Sequence, residues 1–275
     1  MPLSRRAFVA LAAAATAKAA QVGPAKGTLI VIGGGVLDAS ILRRFIDAAG
    51  GAGAPVVFVP TAGEKTSYSP QDASANFLRQ AGCRNLEILH TTSRAEANSE
   101  PFAARLRRAG GVFFGGGRQW RLVDSYLGTR AQREFEAVLR RGGVIAGTSA
   151  GATIQGSYLI RGAREGNTLM MAPGYEKGFG YLRRVAIDQH LTQRNRQQDL
   201  LAVIDRHPEL LGIGLDENTA IVVQADRFEV AGLGRVAIYD HAALPHYFLN
   251  PGDHFDLARR QPLRAPSGRA GHPNN

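Results

Sequence analysis

The 275-residue chain has one cysteine, Cys83. A single thiol excludes a disulfide framework within the chain and any cysteine-based zinc site. No G-x-x-x-x-G-K-[ST] motif occurs, which removes nucleotide hydrolysis of that type. No apolar run reaches the ~20 residues that a membrane-spanning helix needs. Acidic residues are missing from both ends. Residues 1–20 carry Arg5, Arg6 and Lys18 without an acid, and residues 259–275 carry Arg259, Arg260, Arg264 and Arg269 without one. The formal charge of +10 is therefore mostly terminal. The body between is only slightly basic, too little for a nucleic-acid-binding face.

What is present is a globular composition. At 44% hydrophobic and 20% charged, the chain has enough apolar content for a sizeable core, so disorder, collagen and coiled coil are excluded. The opening segment places Ser4-Arg5-Arg6-Ala7-Phe8 before an alanine-rich run and small residues at Ala17 and Ala19. That order reads as an export signal of twin-arginine type over residues 1–20, implying a periplasmic or secreted protein. An ordinary amphipathic first helix is the alternative. A catalytic domain is expected over 21–257 and a disordered, Pro-, Gly- and Arg-rich tail over 258–275.

Within the body, apolar runs alternate with segments of helical periodicity. Thr28–Ile32, ending in glycines, reads as a strand buried on both faces, and Val56–Val59, Leu86–Leu89, Val112–Phe114 and Val144–Ala146 read as further strands. Helical spacing occurs between them, over Ala73–Ala81, Phe102–Ala109, Gln119–Leu127 and Ala131–Arg140. This predicts an α/β fold, a mostly parallel sheet with helices on both faces. The short runs Ile213–Leu215, Ala220–Gln224, Phe228–Ala231 and Val236–Tyr239 predict a short antiparallel meander at the sheet edge. No internal repeat is visible.

Two glycine clusters follow strands. Gly33-Gly34-Gly35 lacks the third glycine of a dinucleotide fingerprint, since position 38 is Asp38; it reads as a tight strand-to-helix turn. Neither a nucleotide cofactor nor a metal is expected. Gly115-Gly116-Gly117 precedes Arg118-Gln119 at the carboxyl end of a strand, the edge where open α/β sheets bind ligands.

The sharpest motif is Gly147-Thr148-Ser149-Ala150-Gly151, directly after Val144-Ile145-Ala146. In a G-x-S-x-G elbow the nucleophile sits on a turn so tight that its neighbours must be small, and the turn offers free N–H groups to developing negative charge. A glycine-bounded turn with an N-capping serine is the competing reading. A serine nucleophile needs a base and an orienting acid. Of the seven histidines, His190 is the best candidate base. It follows Val185-Ala186-Ile187-Asp188-Gln189, where an apolar strand gives way to polar residues. For the acid, Asp216-Glu217 ends the run Gly212–Leu215; alternation puts the two on opposite faces, and only one can face the site.

Taken together, Gly147–Ala152, Asp188-Gln189-His190 and Gly212–Ala220 resemble the cyanophycinase-like serine peptidases, relatives of the aspartyl dipeptidases with a class-I glutamine amidotransferase-like fold. The resemblance runs from about Gly27 to Tyr239. It implies Ser149 as nucleophile, His190 as general base and acid, and Glu217 as the group that orients the imidazole. Ala150 with Gly116 or Gly117 would supply oxyanion N–H groups. Gln119, Asp188, Gln189, Arg194 and Arg196 would contact a peptide or isopeptide substrate bearing acidic and arginine groups. After His190 that family tends to carry glycines and a further arginine, where this chain has Asn195, Gln198 and Asp199. The competing readings are an α/β-hydrolase esterase, using Asp216 or Asp240 with His246 or His254, and a non-catalytic binding module of the same fold. A homodimer is the expected assembly.

Overall fold

The computed structural model describes residues 21–243 and 245–263; the expected export signal lies outside the described residues. Along the chain, β1 (Thr28–Ile32) leads to α1 (Ala39–Ala48), capped by Asp38, whose carboxylate accepts from the Ser40 N–H. Then follow β2 (Val56–Val59), α2 (Asn76–Gln80), β3 (Leu86–Ile88), α3 (Arg94–Asn98), α4 (Glu100–Ala104) and β4 (Gly111–Phe114). Next come α5 (Gln119–Tyr126), α6 (Arg130–Arg140), β5 (Val144–Thr148), the single turn α7 (Ala150–Thr153) and β6 (Gly156–Tyr158). The last third holds β7 (Leu182–Gln189), α8 (Asp199–Arg206), β8 (Leu211–Leu215), β9 (Thr219–Gln224), β10 (Arg227–Gly232) and β11 (Val236–Asp240). Three short strands finish the chain, β12 (Tyr247–Leu249), β13 (His254–Asp256) and β14 (Gln261–Leu263).

The larger sheet has the order β14-β13-β10-β9-β1-β5-β4-β2-β3. Its strands β1 to β5 are parallel, and the fully buried β1, β2 and β4 reflect helices on both faces. One face packs α1 through Ile41, Leu42, Phe45 and Ile46, and Phe45 meets Phe113 edge-on with ring centroids 5.4 Å apart. The other face packs α5 and α6, where Phe135 meets Phe114 at 5.0 Å.

A second, five-stranded sheet has the order β12-β11-β8-β7-β6, with β6, β7 and β8 parallel. Here the expected edge meander is revised. All four of its runs are strands, but β9 and β10 extend the larger sheet from β1, whereas β8 and β11 pair in the second. The chain changes sheet between β8 and β9 at Asp216–Asn218, where Asn218 takes a left-handed φ of 55°. The tail boundary also moves. Residues 258–263 are folded, with β14 pairing to β13, and Arg260 donates to Asp240 at 3.0 Å. Residues 264–275 lie outside the described residues. No helix among the described residues is long and apolar enough to cross a membrane.

Candidate active site

Strand β5 carries the chain to Ser149, whose φ of 54° and ψ of −113° lie where few non-glycine residues go. Holding such a conformation costs on the order of 1–3 kcal/mol and persists only when the surroundings enforce it. They do so on both sides. A Cβ on Gly147 would stand 2.0 Å from the Gly151 carbonyl oxygen, and one on Gly151 would stand 2.3 Å from that of Phe114. The Ser149 N–H donates to the Ile32 carbonyl at 3.1 Å, and the Gln155 side chain donates to the Gly151 carbonyl at 3.1 Å. The glycines that made the motif legible are therefore steric requirements of the turn.

The Ser149 Oγ lies 3.0 Å from His190 Nε2, and His190 Nδ1 hydrogen-bonds Glu217 Oε1. With Nδ1–H donating to the carboxylate, Nε2 is left to accept the serine proton. His190 is buried, and burial pulls its pKa below the ordinary 6.5; the bond to Glu217 opposes that shift, and the Arg194 and Arg196 cations reinforce it. The imidazole is thus neutral at neutral pH, the state a general base requires. Asp216, the other half of the acidic pair, faces away and is buried. It accepts from the Thr192 N–H at 3.1 Å, the Thr192 hydroxyl at 2.7 Å and the Arg235 N–H at 3.0 Å.

Gly33-Gly34-Gly35 does more than turn the chain. A Cβ on Gly34 would stand 2.3 Å from His190 Cε1, and one on Gly35 would stand 2.6 Å from Glu217 Oε2. The same loop holds the backbone of the site: the His190 N–H donates to the Gly33 carbonyl at 2.9 Å, and the Asn218 N–H to that of Gly34 at 2.9 Å. The end of β1 is the floor on which serine, histidine and glutamate meet. Sequence reasoning noticed these glycines and missed this role, because nothing local links them to residues so far along the chain.

Gly116 sits beside Ser149, where a Cβ would come 3.4 Å from the serine Cβ. Gly117, with φ of 137°, tucks against the Ala62 carbonyl. Among the described residues no partner accepts from the N–H of Gly116, Gly117 or Ala150, so all three are free to meet an anion. Because α7 is one turn long, it contributes the single Ala150 donor more than a dipole.

The expected substrate-contacting residues fall into two groups. Arg194 is exposed on the turn after His190, its N–H bonded to the His190 carbonyl at 3.0 Å. Gln119, Asp188, Gln189 and Arg196 are buried. Gln119 starts α5 and donates to the Ile160 carbonyl at 3.0 Å. Arg196 donates to the Gln189 carbonyl at 3.0 Å and to Gln189 Oε1 at 3.3 Å. Asp188 accepts both arms of Arg161, Nε and Nη2, each at 3.0 Å. Arg161 also bonds Asp199 and donates to the Asn167 carbonyl at 2.7 Å. Removing one partner of so buried a pair typically costs about 3–5 kcal/mol. Arg161 was not foreseen; its only sequence signal is a guanidinium directly after the apolar Leu159-Ile160.

The residues of the esterase arrangement stand elsewhere. His246 packs between the rings of Tyr239 and Phe248, His254 is exposed on β13 opposite Glu229, and Asp240 pairs with Arg260. A cavity of about 610 Å³ opens beyond β3, lined by Tyr68, Glu87, His90, Glu96 and Arg105, and no member of the Ser149 cluster lines it. Among the described residues no cluster of His, Cys, Asp and Glu is arranged to hold a metal ion.

The chain is 31% identical to a cyanophycinase of Geminocystis herdmanii, covering 86% of this chain and 88% of that one. It is 32% identical to a cyanophycinase of Trichormus variabilis, covering 87% and 89%. Among solved structures, a peptidase from an acI-B1 Actinobacterium superposes with a TM-score of 0.64 at 23% identity, covering 87% of this chain and 98% of that one. A putative peptidase E from Listeria monocytogenes gives a TM-score of 0.53 at 15% identity, covering 76% and 99%; both show the shared fold. The profile of peptidase family S51 matches residues 29–231, and the chain belongs to that family of serine-type peptidases.

Proposed function

We propose that this peptidase hydrolyses β-aspartyl isopeptide bonds, or related aspartyl peptide bonds, through an acyl-enzyme on Ser149. The observation that carries the reading is the continuous hydrogen-bonded line from the Ser149 hydroxyl through His190 to Glu217. In the first half-reaction, Ser149 Oγ attacks the scissile carbonyl carbon as its proton passes to His190 Nε2. Glu217 stabilises the resulting imidazolium through Nδ1–H. The carbonyl oxygen becomes an oxyanion, which the N–H of Ala150 and that of Gly116 or Gly117 would hold. Each such donor is worth roughly 3–4 kcal/mol in the transition state. His190 then returns the proton to the leaving amine, and the C–N bond breaks. Water repeats the sequence on the ester, with His190 as base, releasing the acid and restoring the serine.

The substrate class is supported by charge and by kinship. Arg194 and Arg196 put two guanidinium groups within electrostatic reach of His190, suited to a carboxylate beside the scissile bond. The curated relatives at 31 to 34% identity are cyanophycinases. The test is incubation with β-Asp-Arg polymer, isoaspartyl dipeptides and ordinary α-peptides, followed by mass analysis. Release of β-Asp-Arg establishes the isopeptidase; cleavage of α-linked aspartyl peptides alone moves the specificity to that substrate. No cleavage of any, with no labelling of Ser149 by a serine-directed phosphonate, makes the chain a binding module. The leader over residues 1–20 is read as an export address, so the mature protein would act outside the cytoplasm.

A further inference from the structure

The glycine turn beside Ser149 is gripped at both ends by the end of β2 and the loop after it. The Val59 carbonyl accepts from the Gly115 N–H at 3.0 Å, and the Ala62 carbonyl accepts from the Arg118 N–H at 2.8 Å. Gly117 leans on the same Ala62 oxygen, which would stand 2.1 Å from a Cβ there. Gly116 lies inside the grip, where a Cβ would come 3.9 Å from Ser149 Oγ. The place of Ala62 therefore fixes where the unspent Gly116 and Gly117 N–H groups stand relative to the nucleophile. Ala62 has no polar side chain to anchor it. Thr61, the residue before it, does.

Thr61 is completely buried, and its hydroxyl lies 2.7 Å from the Tyr126 hydroxyl and 2.9 Å from His90 Nδ1. The partners set the direction of the protons. Tyr126 is also completely buried, and its oxygen already accepts the Thr91 N–H at 3.2 Å. Among the described residues its own proton has Thr61 as its acceptor. Thr61 therefore donates to His90 Nδ1, and the His90 proton sits on Nε2. The loop is thus tied to the end of α5 through Tyr126 and to the segment after β3 through His90. It also closes on itself, because the Gly63 N–H and the Tyr68 hydroxyl both donate to the Pro60 carbonyl, at 2.8 Å and 3.1 Å. We propose that Thr61 is a positioning residue for hydrolysis: its hydroxyl, held between Tyr126 and His90, sets the Ala62 carbonyl and so keeps the Gly116–Gly117 turn in line for the oxyanion. This rests on the peptidase reading above and deepens it. No hydrogen bond joins Thr61, Tyr126 or His90 to Ser149, His190 or Glu217 among the described residues, so the effect passes through the turn.

Thr61→Val keeps the shape of the side chain and removes the hydroxyl. Steady-state hydrolysis by the full chain, on the aspartyl peptide the wild type cleaves fastest, should show kcat lower by about 10- to 100-fold. KM should stay within about twofold, because the oxyanion forms only in the transition state. Labelling of Ser149 by a serine-directed phosphonate should slow by a similar factor. Thr61→Ser restores the hydroxyl and should return both rates to within about threefold of wild type. Gly142→Ala is the control for lost stability, since its φ is 91° and nothing lies within 4 Å of a Cβ built there; it should melt earlier and keep both rates. A Thr61 that only fills the core would make Thr61→Val behave like Gly142→Ala, and that result overturns the proposal. So does a Thr61→Ser as slow as Thr61→Val. Should Thr61→Val fail to fold, His90→Leu takes its place, removing one of the two anchors at the half-buried end of the network. It should lower kcat by about three- to tenfold at unchanged KM, and wild-type kcat there overturns the proposal. A wild type that is labelled but cleaves no aspartyl peptide overturns the function proposed above, while the labelling rates still decide the role of Thr61. A wild type that cleaves, with Thr61→Val unaffected, overturns the role of Thr61 alone; one that neither cleaves nor is labelled overturns both.

Discussion

Replacing Gly34 by alanine tests how the site is assembled. The new Cβ would stand 2.3 Å from His190 Cε1 and 2.6 Å from Nε2. Carbon atoms pack at about 3.5–4.0 Å, so the imidazole or the loop must yield by roughly 1 Å. That displacement acts on a ring whose Nε2 is 3.0 Å from the nucleophile, and a misplacement of this size can cost about 10²-fold in rate. The backbone adds its own strain, because Gly34 has φ of 107°. An L-residue there costs roughly 1–2 kcal/mol, about 2–8 °C in melting temperature for a domain of this size. Gly142 separates the two effects: its φ is 91°, and nothing lies within 4 Å of a Cβ built on it. Gly142→Ala should therefore share the stability loss and keep wild-type kcat, while Gly34→Ala loses both. The assays are steady-state hydrolysis and the rate of Ser149 labelling by a phosphonate, alongside thermal melting. Wild-type kcat and labelling in Gly34→Ala would refute the claim that β1 braces the catalytic imidazole.

Ser149→Ala should lower kcat on the order of 10⁶-fold with an unchanged melt, and His190→Ala should be comparably damaging. His254→Ala, at an exposed β13 position, should leave turnover unaltered; a large loss there would restore the esterase arrangement. Glu217→Gln should cost roughly 10³–10⁴-fold in kcat with the fold intact, whereas Asp216→Asn should cost about 1–3 kcal/mol of stability, seen in denaturant melts, and spare the chemistry. On pH, His190 must be neutral to act, and its pKa lies below 6.5, so the acid limb of kcat/KM should fall below that value. Because the Arg194 cation helps to lower it, Arg194→Gln should move the limb toward higher pH; a limb that stays put removes Arg194 from the field at His190.

The parts legible from residue order alone are those whose physics is short-range. The elbow could be read because a turn at Ser149 demands small residues within two positions, and Gly147 and Gly151 would each collide with a backbone carbonyl if they carried a Cβ. The central strands β1, β2, β4 and most of β5 could be read because burial on both faces leaves an unbroken apolar run. Packing decided the remainder. Whether Asp216 or Glu217 faces the imidazole depends on where the chain crosses from the second sheet to the first, a pairing between distant strands that alternation does not encode. Gly34 and Gly35 meet His190 and Glu217 only because β1 lies between β5 and β9, so their purpose exists only in the assembled sheet. Arg161 shows the same limit for charge. An arginine in a sequence is simply a cation, and only burial against Asp188 and Asp199 determines which carboxylates it neutralises.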